Sequence, residues 1–419
     1  MITETKQMSE EQKQELESLS YQVVRKMHQG TNVKNYFRLI MQHWSESFYL
    51  LKKFGLTRFY NFWYTKFFIT DEGGEFDLNY KKINKNPSCV KKPNKIELEI
   101  TTVCNKKCVL CSHTYWNYKQ RQMSFDEFKN LVDSIPTLRW INFAGIGANF
   151  LNRDYLKMLE YASEKNLNVN VVDEFEFLTE EYARKIIELG VNSIYVSFDA
   201  TDKKTYERMK TGCNFDQFMA NMKTFLRVKE EMNSPFPVLH FRFIIHRQNY
   251  HQMSEYIDLV NSLKPRGTRA RVEFIGVIVF EQNKEYAMPI EEVPYELKKE
   301  VYKKALDYGI NLYFSHASAN KCNINTCIRW TEPFILVSGE VLPCCSILLQ
   351  SEREFLYKYN FGNVYEKSFY DIWNSEAYKK FRQTVVNPQG QVPMICKHCC
   401  SHDHTERVQK YGYYDNTFQ

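Results

Sequence analysis

From about residue 95 onward the chain alternates between two hydrophobic periods. Ile96, Leu98 and Ile100 share one face of an extended run, and Glu97, Glu99 and Thr101 share the other. The run Lys95–Thr101 is followed by strand-like runs at Trp140–Phe143, Asn168–Val172, Ser193–Phe198, Val238–Ile245 and Arg271–Val279. Helical runs fall between them. One opens at Ser124, with Glu127 three residues later as a capping box. Others cover Asp154–Lys165, Thr179–Leu189, Asp216–Glu231 and Tyr250–Leu263, with Pro294–Tyr308 after the last strand. Six successive β/α units predict an α/β fold: a parallel sheet with right-handed crossovers, curled into a partial (β/α)6 barrel.

Strand parity sharpens this expectation. Asn168, Asn170 and Glu174 share a face of the third run, and Ser197 and Asp199 share one in the fourth. His240, Arg242 and His246 group in the fifth, and Arg271 and Glu273 in the sixth. A parallel sheet covered on both faces should read as nearly continuous apolar runs. A polar face recurring along the strands predicts a hydrated, ligand-holding interior instead.

Ahead of the first strand the pattern changes. Between Val33 and Thr70 stand thirteen aromatic residues, six Lys or Arg and a single acid, Glu46. Phe37, Ile40, Met41, Trp44, Phe48 and Leu51 fall on one helical face. This segment reads either as a helical prefix packed on the main unit, or as a basic aromatic surface that lies on a membrane or admits an apolar substrate. The expected division is 1–90 as a helical, aromatic-rich prefix, 91–315 as the barrel and 316–419 as a small Cys-rich extension.

Composition narrows the class. Of 419 residues 43% are apolar and 25% charged, which excludes a disordered chain, and a net charge of +6 gives no argument for nucleic acid. The start is polar and acidic, unlike a secretory signal, and no apolar run approaches the ~18 residues of a membrane span. Twelve cysteines in such a chain point to the reducing cytoplasm, where clustered thiols serve metals more than disulfides. Cys89 and Cys213 have no neighbour at metal spacing and read as packing residues.

Cys104, Cys108 and Cys111 form C-x3-C-x2-C just past the C-terminal end of the first strand, where open α/β sheets build their sites. Metal sites and clusters normally take four protein ligands, so three thiols leave a position open. In this context the motif resembles that of the radical S-adenosylmethionine superfamily. The resemblance implies that the three thiolates hold a [4Fe–4S] cluster whose fourth iron binds S-adenosylmethionine. "GIGAN" stands where that family has its glycine-rich loop; Gly145 and Gly147 match it, and Ala148 and Asn149 depart from its Glu-Pro. Ser197 and Asp199 stand at ribose or methionyl contacts, and Lys210 replaces a common arginine. Glu174 then reads as a substrate-binding or proton-handling group, or as a solvated loop carboxylate.

The tail, from "CIRWTEPFILVSGEVLPCCS" to "MICKHCCSHDH", resembles the family's SPASM/Twitch extension. The resemblance implies one auxiliary [4Fe–4S] cluster on Cys327, Cys344, Cys396 and Cys399. Doubled cysteines leave alternatives open: Cys345 for Cys344, Cys400 for Cys399, Cys322 for Cys327. A zinc site on Cys396, Cys399, His402 and His404 is the competing reading.

The activity implied is reductive cleavage of S-adenosylmethionine and removal of hydrogen from an unactivated carbon, with a reductant such as flavodoxin or ferredoxin. The aromatic prefix favours an acyl-chain substrate met at the membrane surface. A ribosomally made peptide is the close alternative, a sugar-type metabolite the third, and a non-catalytic Fe–S or zinc protein the rival of another class. A membrane-facing prefix should sediment the protein with anionic liposomes and release it as salt rises, with weaker binding after charge reversal at Lys52, Lys53 and Arg58.

Overall fold

The computed structural model describes residues 8–25, 41, 43–67, 87, 90, 92–264, 270–315, 327, 329–387 and 389–415; Phe37, Ile40, Cys89 and Cys322 lie outside these. Six strands pair side by side in chain order, all parallel: β1 (Lys95–Leu98), β2 (Trp140–Phe143), β3 (Asn168–Asp173), β4 (Ser193–Ser197), β5 (Val238–Ile245) and β6 (Arg271–Gly276). Among the described residues the sheet continues beyond both ends of this set. β7 (Asn311–Ser315) adds in parallel to β6, β8 (Phe334–Ile335) adds in parallel to β1, and β9 (Val341–Leu342) turns back antiparallel on β8. The result is an open, largely parallel nine-stranded sheet.

Four of the described helices between strands begin at a side chain that caps them. Ser124 Oγ accepts from Glu127 N at 3.3 Å while Glu127 Oε2 accepts from Ser124 N at 2.8 Å, so the expected capping box is formed. Thr179, Asp202 and Asn214 cap three further helices. The outward residues of the strands, among them Val171, Val196, Phe243, Val272 and Phe274, are buried with the helices' apolar faces. The inward face is polar, as parity predicts.

Two helices of the prefix bound this structure. α1 (Glu10–Arg25) buries Leu16 and Val23, and its Glu15 pairs with Lys299 at 2.8 Å and accepts from Tyr295. α2 (Trp44–Phe67) is broken at Gly55, whose φ of 81° only glycine adopts without strain. Its second half lies across the N-terminal ends of β2 to β5. There Phe62, Trp63 and Leu50 form a separate apolar cluster with Trp140 and Phe236.

This arrangement corrects the packed reading of the prefix's aromatic face. Met41, Trp44, Phe48 and Leu51, read as one face that either packs on the main unit or lies on a membrane, are 54%, 59%, 57% and 42% exposed. The buried face is carried by Ser47 and Leu50, and beyond the break by Arg58, Asn61, Phe62 and Trp63. Arg58, expected as a surface charge, is buried and donates to Gly190 O at 2.8 Å; burial pushes its guanidinium down to about 9. It sits beneath the sheet because the carbonyl of Gly190, left over at a helix end, needs a donor. Among the described residues no helix is long and apolar enough to cross a membrane.

The C-terminal extension is joined to β1 by backbone and side chain. Glu97 N donates to Pro333 O at 2.9 Å and Glu99 N to Ile335 O at 3.0 Å. Glu99, fully buried at the end of β1, pairs with Arg353 of the extension at 2.5 Å. Its carboxylate also accepts from Ile146 N and Val337 N, each at 3.3 Å. The face of Tyr118 lies 5.2 Å from the same guanidinium.

Two substitutions test these contacts by thermal unfolding. Trp63→Ala should cost about 3–5 kcal/mol, as other large buried truncations do, whereas Trp44→Ala should change stability by less than about 0.5 kcal/mol. Arg353→Met leaves the Glu99 carboxylate buried and unpaired, a loss of about 3–5 kcal/mol. Adding Glu99→Gln should recover part of that loss; equal destabilisation by single and double variants would show that the pair is not coupled.

Candidate functional site

At the C-terminal end of β1 the chain leaves the sheet and forms the three-cysteine loop. Its conformation is held by short-range bonds: Cys111 N donates to Cys108 O at 3.1 Å, and Thr114 Oγ1 to the same carbonyl at 2.7 Å. Lys107–Cys108 also pairs antiparallel with Lys210–Thr211, bringing Cys108 opposite Lys210. Through this ribbon Cys213 comes to hydrogen-bond Cys108, which draws the Cys108 thiol below its ordinary range. Cys213 is buried in the apolar core, in keeping with the packing role read for it, and reaches Cys108 as well. The contact spans distant segments and has no spacing signal.

Cys104, Cys108 and Cys111 line a cavity of about 910 Å³ together with the inward residues of β1 to β6. Burial pushes the Cys104 and Cys111 thiols up to about 11 and about 12. Protein groups alone therefore keep these two neutral. Thiolate ligation needs cationic iron to offset that desolvation, and three converging thiols supply the donors for it. The set fits a [4Fe–4S] cluster with one iron open to a further ligand.

The remaining expected residues line the same cavity. Gly145 and Gly147 pack so closely on β1 and its continuation that an added Cβ would stand 2.6 Å from Glu99 Cγ and 2.3 Å from Thr101 O. Their lack of a side chain thus serves the close fit of loop to strand. Asn149, where the family has proline, donates to Val172 O at 3.1 Å and ties the loop to β3. Lys210 Nζ donates to Ser197 Oγ at 2.8 Å and pairs with Asp199 at 3.4 Å. Burial alone would lower Lys210, but Asp199, Tyr206, Cys108 and Cys213 together outweigh it and hold the ammonium above its usual range. Glu174 is partly buried; desolvation raises its carboxyl, and Lys210 and Lys106 offset part of that shift.

A second, small pocket in the extension is lined by Cys327, Cys344, Cys396 and Cys399 together with His402 and His404. Their neighbours Cys345 and Cys400 line the large cavity instead. Adjacent residues in extended chain point to opposite sides, and Cys344 has φ −172° and ψ 172°. Among the described residues no three His, Cys, Asp or Glu side chains converge tightly enough for a single metal ion. A cubane takes its thiolates at its corners, so the four-thiol pocket suits a cluster better than the zinc set read from the sequence.

Comparison with known proteins gives the same outline. The profile of the radical SAM superfamily matches residues 98–260, and that of an iron–sulfur cluster-binding domain, SPASM, matches 327–400. The chain is 28% identical over 321 residues to the tungsten-containing aldehyde ferredoxin oxidoreductase cofactor-modifying protein of Pyrococcus furiosus, covering 69% of this chain and 83% of that protein. It is 23% identical over 330 residues to the PqqA peptide cyclase of Granulibacter bethesdensis, covering 74% and 81%. In fold it is similar to Streptococcus suis SuiB bound to S-adenosylmethionine, with a TM-score of 0.58 at 13% identity over 97% of this chain and 93% of that one. The chain belongs to the radical S-adenosylmethionine superfamily and carries a SPASM iron–sulfur domain.

Proposed function

We propose that this radical S-adenosylmethionine enzyme modifies a ribosomally made peptide or protein. What carries the reading is the single cavity that the three-cysteine loop, the glycine loop, the Ser197–Asp199–Lys210 group and the extension's Cys345 and Cys400 line together. A substrate in it meets both halves of the chain at once. Relatives support a peptide: a PqqA peptide cyclase and a mycofactocin maturase by sequence, and by fold a SuiB structure bound to its precursor peptide SuiA, with a TM-score of 0.54. The acyl-chain reading has no such support.

When bound, the cluster and S-adenosylmethionine together supply a carbon-centred radical able to take hydrogen from an unactivated position. In this reading Cys104, Cys108 and Cys111 hold the cluster, and the backbone around Gly145 and Gly147 receives the methionyl end. Ser197 and Asp199 orient the nucleoside, fixed by Lys210. Glu174 handles a proton at its carboxylate, which burial already favours in the protonated form. Cys327, Cys344, Cys396 and Cys399 hold the auxiliary cluster. The division at about 90 and 315 separates a structural prefix, the barrel and the cluster-bearing extension. A small flavodoxin or ferredoxin supplies electrons, and the exposed rings of Trp44 and Phe48 leave peripheral membrane contact as a second role for the prefix.

Anaerobically reconstituted protein should hold about eight irons and eight sulfides. Replacing Cys104, Cys108 and Cys111 by alanine should leave about four irons and abolish 5′-deoxyadenosine formation. One equivalent of tight zinc with only four irons would overturn the auxiliary-cluster assignment. Incubation with a candidate precursor peptide should raise 5′-deoxyadenosine output and change the peptide's mass. An unchanged peptide set, with a mass change in an acyl lipid, would overturn the peptide reading.

A further inference from the structure

The cavity is lined by many charged groups, and the cations among them are largely neutralised within the protein. Lys95 pairs with Glu332 at 2.9 Å, Lys210 with Asp199 at 3.4 Å, Arg242 with Glu273 at 3.0 Å, and Lys106 with Glu176. Two carboxamides are different. Asn142 on β2 and Asn170 on β3 stand directly opposite each other in the parallel register, on strands about 4.8 Å apart. Both line the cavity, and Asn170 is only 7% exposed. Neither Oδ1 has a hydrogen-bond partner. Leaving such a group unpaired costs roughly 1–3 kcal/mol, and a strand interior otherwise favours apolar, β-branched residues at these positions. A fold with no use for them would gain by replacing them.

We propose that Asn142 and Asn170 form a subsite that holds an uncharged amide group of the substrate. A carboxamide offers a donor and an acceptor, and half a turn about its last side-chain bond exchanges which of them faces the cavity. Two side by side match a group that itself carries one N–H and one C=O: a peptide bond, a side-chain amide or a ring lactam. Asn142 stands three residues before Gly145, on the strand that leads into the glycine loop, and the pair lines the same cavity as the three cysteines. A carboxylate is a poorer occupant, because Lys95, Lys106, Lys210 and Arg242 already have carboxylate partners. The inference rests on the assignment of this cavity to substrate and names the chemical group it receives.

The test uses reconstituted holoprotein with S-adenosylmethionine and three probes, observed by ligand NMR: a blocked dipeptide amide, its ester counterpart with oxygen in place of the N–H, and guanosine as a ring lactam. The amide probe or guanosine should bind, and the ester at least tenfold more weakly than the amide, because it leaves an acceptor unpaired. The double variant Asn142→Leu/Asn170→Leu should lose that binding while melting no lower than wild type, since apolar groups of similar shape remove two unpaired polar atoms. Equal binding of amide and ester, undiminished binding by the variant, binding of neither amide probe, or a several-degree fall in its melting temperature would each overturn the subsite. Binding of guanosine alone supports the subsite while counting against the peptide reading. 5′-Deoxyadenosine formation by the wild type, measured in parallel, reports on the enzyme class separately.

Discussion

The carboxylate of Glu99 is the point on which the rest of the structure turns. It ends the first strand, has no access to water, and meets three different segments: the backbone after Gly145, the backbone at Val337 and the guanidinium of Arg353. Burying an anion is tolerable only when it is paired and its remaining lone pairs are hydrogen-bonded. Meeting that requirement fixes the glycine loop against the strand and the extension against both. The three-cysteine loop leaves the same strand a few residues later, so its position relative to the auxiliary pocket is set through this carboxylate.

The same economy of charge governs the interior. The sheet's outer face is apolar and packed, whereas its inner face gathers acids and bases in matched pairs around a large cavity. Pairing makes a polar interior affordable without filling it with side chains. The carboxamides on β2 and β3 are then conspicuous for being neutral and unpartnered, and Lys210 for being shared between Ser197 and Asp199 beside the cysteine loop.

Much of this is written in local pattern. The alternation of Glu97, Asn142, Asn170, Ser197, Arg242 and Glu273 with apolar residues already separates lumen from packing face, because strand parity is strictly local. The three-cysteine spacing is equally local. What escapes local reading depends on partners far along the chain. β8 is two residues long and gains its identity by pairing with β1 and β9. The first half of α2 turns Ser47 and Leu50 inward and leaves Trp44, Phe48 and Leu51 exposed, a choice of face that depends on distant Trp140 and Phe236. Arg58 carries no sequence sign that its partner is the carbonyl of Gly190. For the doubled cysteines parity shows only that Cys344 and Cys345 face opposite ways; which of them faces the small pocket depends on the surrounding fold.

The parallel pairing of β8 with β1 has a mechanical consequence. The extension is the next strand of the sheet, bonded through Glu97 N and Glu99 N, and not a lobe on a linker. Swinging it aside would tear ladder bonds and strand a buried carboxylate at the same time. Sheet and extension therefore share one hydrogen-bonded ladder, and the cavity lined by both is a single vessel. Such a vessel admits a tail or a small molecule far more readily than a folded domain.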